Sequence, residues 1–279
     1  MRNEPFALET LDGISLFAQS WLPEGPARAG ITLVHGLGEH SGRYTPLAEA
    51  MTSAGFAVFT MDLRGHGRSP GPRGHAPSFD ALAGDITRLV DHAQASLGSL
   101  PLFIYGHSLG GSLVLYTLLT RKPPVRGAVV TSPGLAPAAP VSGLTQALGH
   151  VLSAVWPSFS MANGLDLTGL SRDPRVIEAY RSDPLVHGRI SARLGMEVLQ
   201  KGQWTLAHAA ELGVPTLLMQ GSADRLVDPR ATRAFAERAG STVTYVEWPG
   251  AYHELHNDLE KEAVVSTELK WLDEHISGG

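Results

Sequence analysis

A serine flanked by glycines stands in the stretch GHSLGG, and serine becomes a nucleophile when a neighbouring base removes its proton. This residue, Ser108, follows the apolar run LFIY and precedes the run LVL, a pattern typical of a buried strand passing into a helix. At such a turn the serine hydroxyl projects at the sheet edge, and glycines at 106 and 110 avoid clashes with the strand and the helix. We predict that Ser108 is a nucleophile; a capping serine in a glycine-rich turn is the alternative.

The carboxylate that such a serine needs is expected in SADRLVDP, directly after the apolar run VPTLLMQG. Asp224 lies close to the end of that predicted strand. Asp228 precedes a proline, which is typical of a helix N-cap. We therefore predict Asp224 as the acid, in a segment that follows Ser108 in the chain.

The base is expected in PGAYHELHND, which follows the run TVTYVEW. His253 lies in the loop itself, whereas His256 stands beside Asn257 and Asp258, which are typical of the N-cap of a last helix. We predict His253 as the base. The two histidines of HELH are spaced i, i+3 rather than the i, i+4 of the zinc motif H-E-x-x-H, so we predict neither a metal nor a cofactor.

Acyl transfer also needs donors for a developing oxyanion, and HGLGEH follows the apolar run ITLV at a predicted strand end. The backbone N–H groups of Leu37 and Leu109 are the candidates. His35 is expected to be a structural residue beneath this loop. Glu39 and Arg43 stand four positions apart, so they either line the site or pair with each other.

The elements that position these residues are indicated by hydrophobic periodicity. FALETLDGISLFAQSW contains two strand-like runs around the turn signal D-G, and six further apolar runs alternate with helical segments. This alternation predicts an α/β fold with a mostly parallel eight-stranded sheet, an N-terminal hairpin and helices on both faces. One predicted helix runs from Leu109 to about Arg121. The last predicted helix runs from about Asp258 to Ile276.

The alternation is interrupted between Ser132 and about Trp204 by a proline-rich stretch and several helical segments. We expect a helical cap at 133–204, inserted into one core formed by 1–132 and 205–279. One helix face in this region is apolar, and we expect it to pack onto the core, with contact to a membrane or micelle surface as the alternative. Its residues are Leu144, Leu148, Val151, Leu152 and Val155.

The composition excludes several classes of protein. With 279 residues and 43% hydrophobic content the chain is long enough for one large core, and a net charge of −5 argues against a nucleic-acid partner. The absence of cysteine excludes disulfides and thiol nucleophiles. The polar opening MRNEPFALET has no signal-peptide pattern, and no run of about 18 apolar residues is present, so we expect a cytoplasmic protein. The oligomeric state is not indicated.

Six separated stretches together resemble the monoglyceride lipases of the α/β-hydrolase superfamily. They follow that family's order from about Ile31 to Asp258: HGLGEHSGRY, MDLRGHGRSPG, GHSLGG, AYRSDPL, QGSADRLVDP and GAYHELHND. The resemblance implies the α/β-hydrolase fold, a triad at Ser108, Asp224 and His253, and oxyanion donors at Leu37 and Leu109.

The same resemblance implies hydrolysis of acyl esters, foremost monoacylglycerol, through an acyl-enzyme, with a lipid or ester as the ligand. In the family's Y-x-S-D-P-L stretch the tyrosine lies near the glycerol end of the substrate, which corresponds here to Tyr180. A carboxylesterase, a lysophospholipase or an aminopeptidase would keep the same triad, and a non-catalytic receptor is a further alternative. Dehalogenases and epoxide hydrolases of this fold use an aspartate where Ser108 stands.

Overall fold

The first half of the chain alternates strands and helices in the computed structural model, which describes residues 1–276. The N-terminal hairpin turns at Gly13, whose φ of 78° is easily adopted by glycine. The elements in chain order are β1 (Arg2–Glu9), β2 (Ser15–Leu22), β3 (Ala29–Val34), α1 (Thr45–Ser53), β4 (Phe56–Met61), α2 (Phe79–Leu97), β5 (Leu102–His107), α3 (Leu109–Thr120) and β6 (Gly127–Thr131).

The middle segment differs from the helical cap predicted for 133–204, because it also contains a short antiparallel strand pair. Its elements are α4 (Gly143–Val155), β7 (Ser160–Ala162), α5 (Pro174–Ser182), β8 (Arg189–Ser191) and α6 (Ala192–Ala207). Helix α6 packs against α3 and α2 and continues past residue 204. The predicted domain boundary at residue 204 therefore lies inside helix α6.

The last part of the chain returns to strands and helices: β9 (Thr216–Gly221), α7 (Pro229–Ala239), β10 (Val243–Trp248) and α8 (Lys261–Ile276). Within the described residues the main sheet has eight strands in the order β1-β2-β4-β3-β5-β6-β9-β10. Strands β4 to β10 of this order pair in parallel, and the hairpin joins antiparallel through β2. The predicted α/β-hydrolase sheet is confirmed.

The predicted start of the last helix at Asp258 is wrong, because α8 begins at Lys261. Asp258 does not cap the helix with its side chain. Its carboxylate instead accepts hydrogen bonds from the backbone N–H groups of Arg172 and Tyr252, at 2.8 Å each. A tertiary contact with the middle segment thus uses the acidic residue that local patterning assigns to a cap.

Two apolar layers cover the sheet. Residues of α2, α3 and α7 form one layer, and residues of α1 and α8 form the other. Neighbouring residues on a strand enter opposite layers, as Leu33 and Val34 do at the end of β3. Because β3, β5, β9 and β10 run in parallel, the loops after them emerge at the same sheet edge, which brings the predicted site residues together.

Candidate active site

Ser108 stands at the junction of β5 and α3 in a strained backbone conformation, with φ 55° and ψ −119°. The flanking glycines are required by close backbone contacts. A Cβ on Gly106 would lie 2.5 Å from the carbonyl oxygen of Gly110, and a Cβ on Gly110 would lie 2.1 Å from that of Val34. A side chain at either position would therefore clash with the backbone, as expected. The two glycines allow the sharp turn that carries the serine at its tip.

His253 lies between Ser108 and Asp224. Its Nε2 atom is 2.8 Å from Oγ of Ser108, and its Nδ1 atom is 2.7 Å from Oδ2 of Asp224. An ionised carboxylate only accepts hydrogen bonds, so Nδ1 carries the proton and Nε2 accepts from the serine hydroxyl. This arrangement is suited to removing the serine proton and stabilising the resulting imidazolium.

The two alternative residues lie outside this chain of hydrogen bonds. Asp228 is the N-cap of α7 and accepts a hydrogen bond from the backbone N–H of Arg230 at 3.0 Å. His256 is buried and stacks on Tyr44 with 4.9 Å between ring centroids, and neither of its ring nitrogens has a partner within residues 1–276. Only Asp224 and His253 of the four candidates approach Ser108.

Opposing effects set the pKa values of the pair. Burial lowers the pKa of His253, but the charge and hydrogen bond of Asp224 outweigh it, so the pKa of His253 is raised. Burial raises the pKa of Asp224, whereas His253 and backbone N–H donors lower it by more, so the net shift is downward. The carboxylate therefore stays ionised while the imidazole gains affinity for a proton.

Two residues that were not predicted from the sequence hold this pair. Gln220, fully buried at the end of β9, donates to Oδ2 of Asp224 at 2.9 Å. Ser132, with φ 44°, donates from Oγ to the backbone carbonyl of His253 at 2.8 Å. Gln220 is a polar residue near the end of the apolar run VPTLLMQG, and this position could have indicated a role near the site. No local pattern connects Ser132 with His253.

The glycine-rich loop after β3 lies against the nucleophile, since a Cβ on Gly36 would be 3.1 Å from Cβ of Ser108. Leu37 and Leu109 both line the cavity that contains Ser108. Within residues 1–276 neither of their backbone N–H groups donates to a protein acceptor. Leu109 also begins α3, so its N–H lies at the positive end of the helix dipole. Their use as oxyanion donors stays a prediction.

Arg43 bridges two buried carboxylates beside the candidate triad. It donates to both oxygens of Glu254, at 2.8 and 2.9 Å, and it also bonds Glu39. Burial raises the pKa of each carboxyl group, but the charge of Arg43 outweighs it, so both groups are ionised. The pairing of Glu39 with Arg43 is thus present. Glu254 was not predicted from the sequence, because it is 211 positions from Arg43.

Tyr180 reaches this cluster from α5. Its ring lies beneath the Arg43 guanidinium, with 4.7 Å from the central carbon to the ring centroid. Glu39 and Tyr180 both line the cavity, whereas Arg43 lies behind them. Glu254 lines the cavity as well, so the polar end of the cavity beside Ser108 is formed by a tyrosine and two buried carboxylates.

The cavity has a volume of about 560 Å³, and most of its remaining wall is apolar. Helices α4 and α6 supply much of this wall, together with the loop after Asp224. The apolar lining includes Leu144, Leu148, Leu152, Met196, Leu199 and Leu226. A cavity with one polar and one apolar end fits an amphiphilic ligand.

The expectation that the apolar face of α4 packs onto the core is wrong. Leu144 is 83% exposed and Val155 is 81% exposed, and Trp156 extends the exposed patch. Helix α4 contacts α6 through Gly149, where a Cβ would lie 2.7 Å from Sδ of Met196. Periodicity predicted which residues of α4 share an apolar side, but it did not predict the element that α4 packs against. The contact with α6 is made at Gly149, where the absence of a side chain allows the close approach. No described helix is long and apolar enough to cross a membrane.

The fold and the serine, histidine and aspartate side chains it brings together define an α/β-hydrolase of the serine hydrolase class. A family profile, Hydrolase_4, described as serine aminopeptidase S33, matches residues 25–260. The chain belongs to this family, within its monoglyceride lipases.

Relatives and solved structures agree with this placement. The chain is similar to the monoacylglycerol lipase of Mycolicibacterium smegmatis, with 34% identity over 267 residues and 95% of each chain covered. It is 38% identical to an uncharacterised abhydrolase domain-containing protein of Dictyostelium discoideum, of which it spans 29%. The crystal structure of Paleococcus ferrophilus monoacylglycerol lipase has a TM-score of 0.85 and 38% identity, covering 93% of this chain and 99% of that one.

Proposed function

We propose that this protein hydrolyses monoacylglycerol to glycerol and a free fatty acid through an acyl-enzyme on Ser108. The observation that supports this most directly is the hydrogen-bonded series Ser108, His253 and Asp224, which lies at a cavity with a polar and an apolar end. The named activity of the similar lipases supports the choice of substrate.

In the first step His253 takes the Ser108 proton while Oγ attacks the ester carbonyl. The N–H groups of Leu37 and Leu109 stabilise the negative charge on the carbonyl oxygen. The imidazolium then donates its proton to the departing glycerol oxygen as the C–O bond breaks, which leaves the acyl group on Ser108.

In the second step water attacks the acyl carbonyl and His253 takes its proton. Collapse of the second intermediate breaks the bond to Oγ, returns the proton to Ser108 and releases the fatty acid. Asp224 remains ionised throughout and stabilises the charged imidazole.

The polar cluster favours an uncharged head group. Glu39 and Glu254 are ionised and Arg43 is charged, so two carboxylates and one guanidinium leave a net charge of −1. A phosphodiester placed there would be repelled, whereas glycerol hydroxyls find Glu39 and the Tyr180 hydroxyl as partners. We propose Tyr180, Glu39 and Arg43 as head-group residues, with Arg43 acting by holding Glu39.

The acyl chain is proposed to occupy the apolar end beneath α4 and α6, since burial of each CH₂ contributes about 0.8 kcal/mol. We propose that residues 133–204 form a cap over a core of 1–132 and 205–276; residues 277–279, which belong to the predicted core range, lie outside the described residues. The exposed side chains of α4 adjoin the cavity wall, which supports transient contact of the cap with a lipid surface from which the substrate enters.

A fluorophosphonate probe tests the serine hydrolase assignment. We expect wild type and Ser112→Ala, a buried serine one turn further along α3, to be labelled, and folded Ser108→Ala to remain unlabelled. Wild-type protein that is folded but unlabelled would contradict the assignment.

Initial rates on 1-monoacylglycerol, p-nitrophenyl esters, lysophospholipid and aminoacyl amides then test the substrate class. We expect the highest kcat/KM on monoacylglycerol and poor turnover of lysophospholipid. Equal or better turnover of aminoacyl amides would overturn the lipase proposal.

A further inference from the structure

His35 is completely buried beneath the loop that approaches Ser108, and both of its ring nitrogens are hydrogen bonded. Nδ1 lies 2.8 Å from the carbonyl oxygen of Gly36, and Nε2 lies 2.9 Å from the backbone nitrogen of Leu63. The ring therefore connects the loop after β3 with the loop after β4.

The backbone contacts define the tautomer of the ring. The amide of Leu63 only donates, so Nε2 of His35 accepts and carries no proton. In the neutral ring the proton is then on Nδ1, which donates to the Gly36 carbonyl. Burial lowers the pKa of His35, and nearby Asp62 and Glu39 only partly oppose this, so the neutral form persists.

The bond to the Gly36 carbonyl orients the whole peptide unit between Gly36 and Leu37. In a trans peptide the C=O and the following N–H point in opposite directions. Because the C=O points to the buried imidazole, the Leu37 N–H points away from it, and Leu37 itself is one of the residues that line the cavity.

The preceding peptide unit is held as well. The N–H of Gly36 donates to Oε1 of Glu39 at 2.6 Å, and the Tyr44 hydroxyl donates to the same oxygen at 2.7 Å. Both polar groups of Gly36 thus have buried partners. Leu37 N–H is left without a protein acceptor among residues 1–276, and the preceding Gly36 lies against the nucleophile, since a Cβ on it would be 3.1 Å from Cβ of Ser108.

We propose that His35 is a positioning residue that orients the Gly36–Leu37 peptide, through its Nδ1–H bond, so that the Leu37 N–H receives the oxyanion. The proposal rests on the proposed function, because it assumes that an oxyanion forms at Ser108. It predicts that the Nδ1 contact controls transition-state binding, whereas the Nε2 contact contributes to stability alone.

Replacement of His35 by asparagine or by glutamine tests its two hydrogen bonds separately. The amide nitrogen of asparagine is as many bonds from Cα as Nδ1, whereas the terminal atoms of glutamine correspond to Nε2. His35→Asn therefore keeps a donor for Gly36 and leaves the Leu63 N–H unpaired, and His35→Gln does the opposite. His66→Gln is the matched control, because His66 is a buried neighbour whose ring centroid is 5.4 Å from that of His35.

Complete loss of an oxyanion donor costs about 10²- to 10³-fold in kcat, so we expect His35→Gln to lose about 10- to 100-fold with KM nearly unchanged. We expect His35→Asn to lower the thermal midpoint while keeping kcat within about fivefold, and His66→Gln to keep the wild-type kcat. The Ki of an acyl trifluoromethyl ketone, which forms a tetrahedral oxyanion, should rise in His35→Gln by the factor that kcat/KM falls.

The positioning role is overturned if His35→Gln retains wild-type kcat, loses activity through KM alone, or loses no more than His66→Gln. If His35→Gln does not fold, His35→Asn still decides, because a loss of about 100-fold or more in the folded variant contradicts the role. A wild-type enzyme without esterase activity would instead be a failure of the proposed function.

Discussion

The hydroxyl oxygen of Ser108 lies 2.8 Å from Nε2 of His253, although the two residues are 145 positions apart in the chain. This contact exists because Ser108 adopts a φ of 55°, a region that costs a residue with a Cβ about 1–3 kcal/mol. The turn holds the hydroxyl toward the histidine, and the fold supplies the free energy that this conformation costs.

We expect Ser108→Gly to be more stable than Ser108→Ala by about 1 kcal/mol, because glycine adopts this backbone conformation with little strain. Both variants should lose activity by several orders of magnitude. Urea unfolding of the two variants measures the difference. A Ser108→Ala variant as stable as Ser108→Gly would contradict the strain at this position.

The pH dependence should report His253. Catalysis needs the neutral imidazole, and the pKa of His253 is raised by Asp224, so kcat/KM should rise with pH through a midpoint above the ordinary value of about 6.5. In Asp224→Asn we expect a lower midpoint and a fall in kcat of about 10⁴-fold. Asp228→Asn serves as the control, since asparagine caps helices as well as aspartate and should leave the profile unchanged.

Contact with a lipid surface should depend on α4. Val151 and Val155 are exposed and do not line the cavity, so the double change Val151→Gln and Val155→Gln leaves the acyl site intact. Each apolar side chain contributes about 1.5–3 kcal/mol when buried, so adsorption to monoacylglycerol vesicles should weaken at least about tenfold. Turnover of a soluble p-nitrophenyl ester should not change.

Leu11 provides the control for this experiment, because it is 81% exposed, as Val155 is, but lies in the hairpin turn. Leu11→Gln should adsorb like wild type. Equal adsorption of all three proteins, measured by co-sedimentation with vesicles, would exclude α4 as the contact surface.

The free energy of unfolding should fall as pH rises because of Glu268. This fully buried residue of α8 accepts a hydrogen bond from Tyr105 at 3.2 Å. Burial raises the pKa of Glu268 from 4.5 to about 8. Between these values the unfolded chain is ionised and the folded one is protonated, so the free energy of unfolding falls by about 1.4 kcal/mol per pH unit. The contribution of Glu268 to the free energy of unfolding is complete below the pKa that it has in the unfolded chain. It is lost as pH approaches the pKa of Glu268 in the folded protein.

Glu268→Gln removes the titrating group and should abolish this slope, so that the variant gains stability relative to wild type as pH rises. Urea unfolding between about pH 5 and about pH 7 measures it. Glu262→Gln, at an exposed position of the same helix, should retain the wild-type slope. A wild-type slope in Glu268→Gln would show that other groups cause the dependence.

Local sequence patterns determined most of the framework. The apolar runs and their intervening helical segments predicted the eight strands of the sheet, because burial on a sheet or helix face imposes a periodicity on neighbouring residues. Parallel strand order then placed the loops with Asp224 and His253 at the edge that holds Ser108. The proline after Asp228 identified it as a helix cap, which left Asp224 for the site.

Only the tertiary structure decided the contacts between distant segments. The pairing of Arg43 with Glu254 and the support of His253 by Ser132 join residues that no periodicity relates. Likewise, the stripe on α4 defined an apolar side, but only the structure shows that α4 contacts α6 at Gly149 and that four of the five stripe residues are more than half exposed. A sequence pattern records that a residue is apolar or charged, whereas its partner depends on how the whole chain packs.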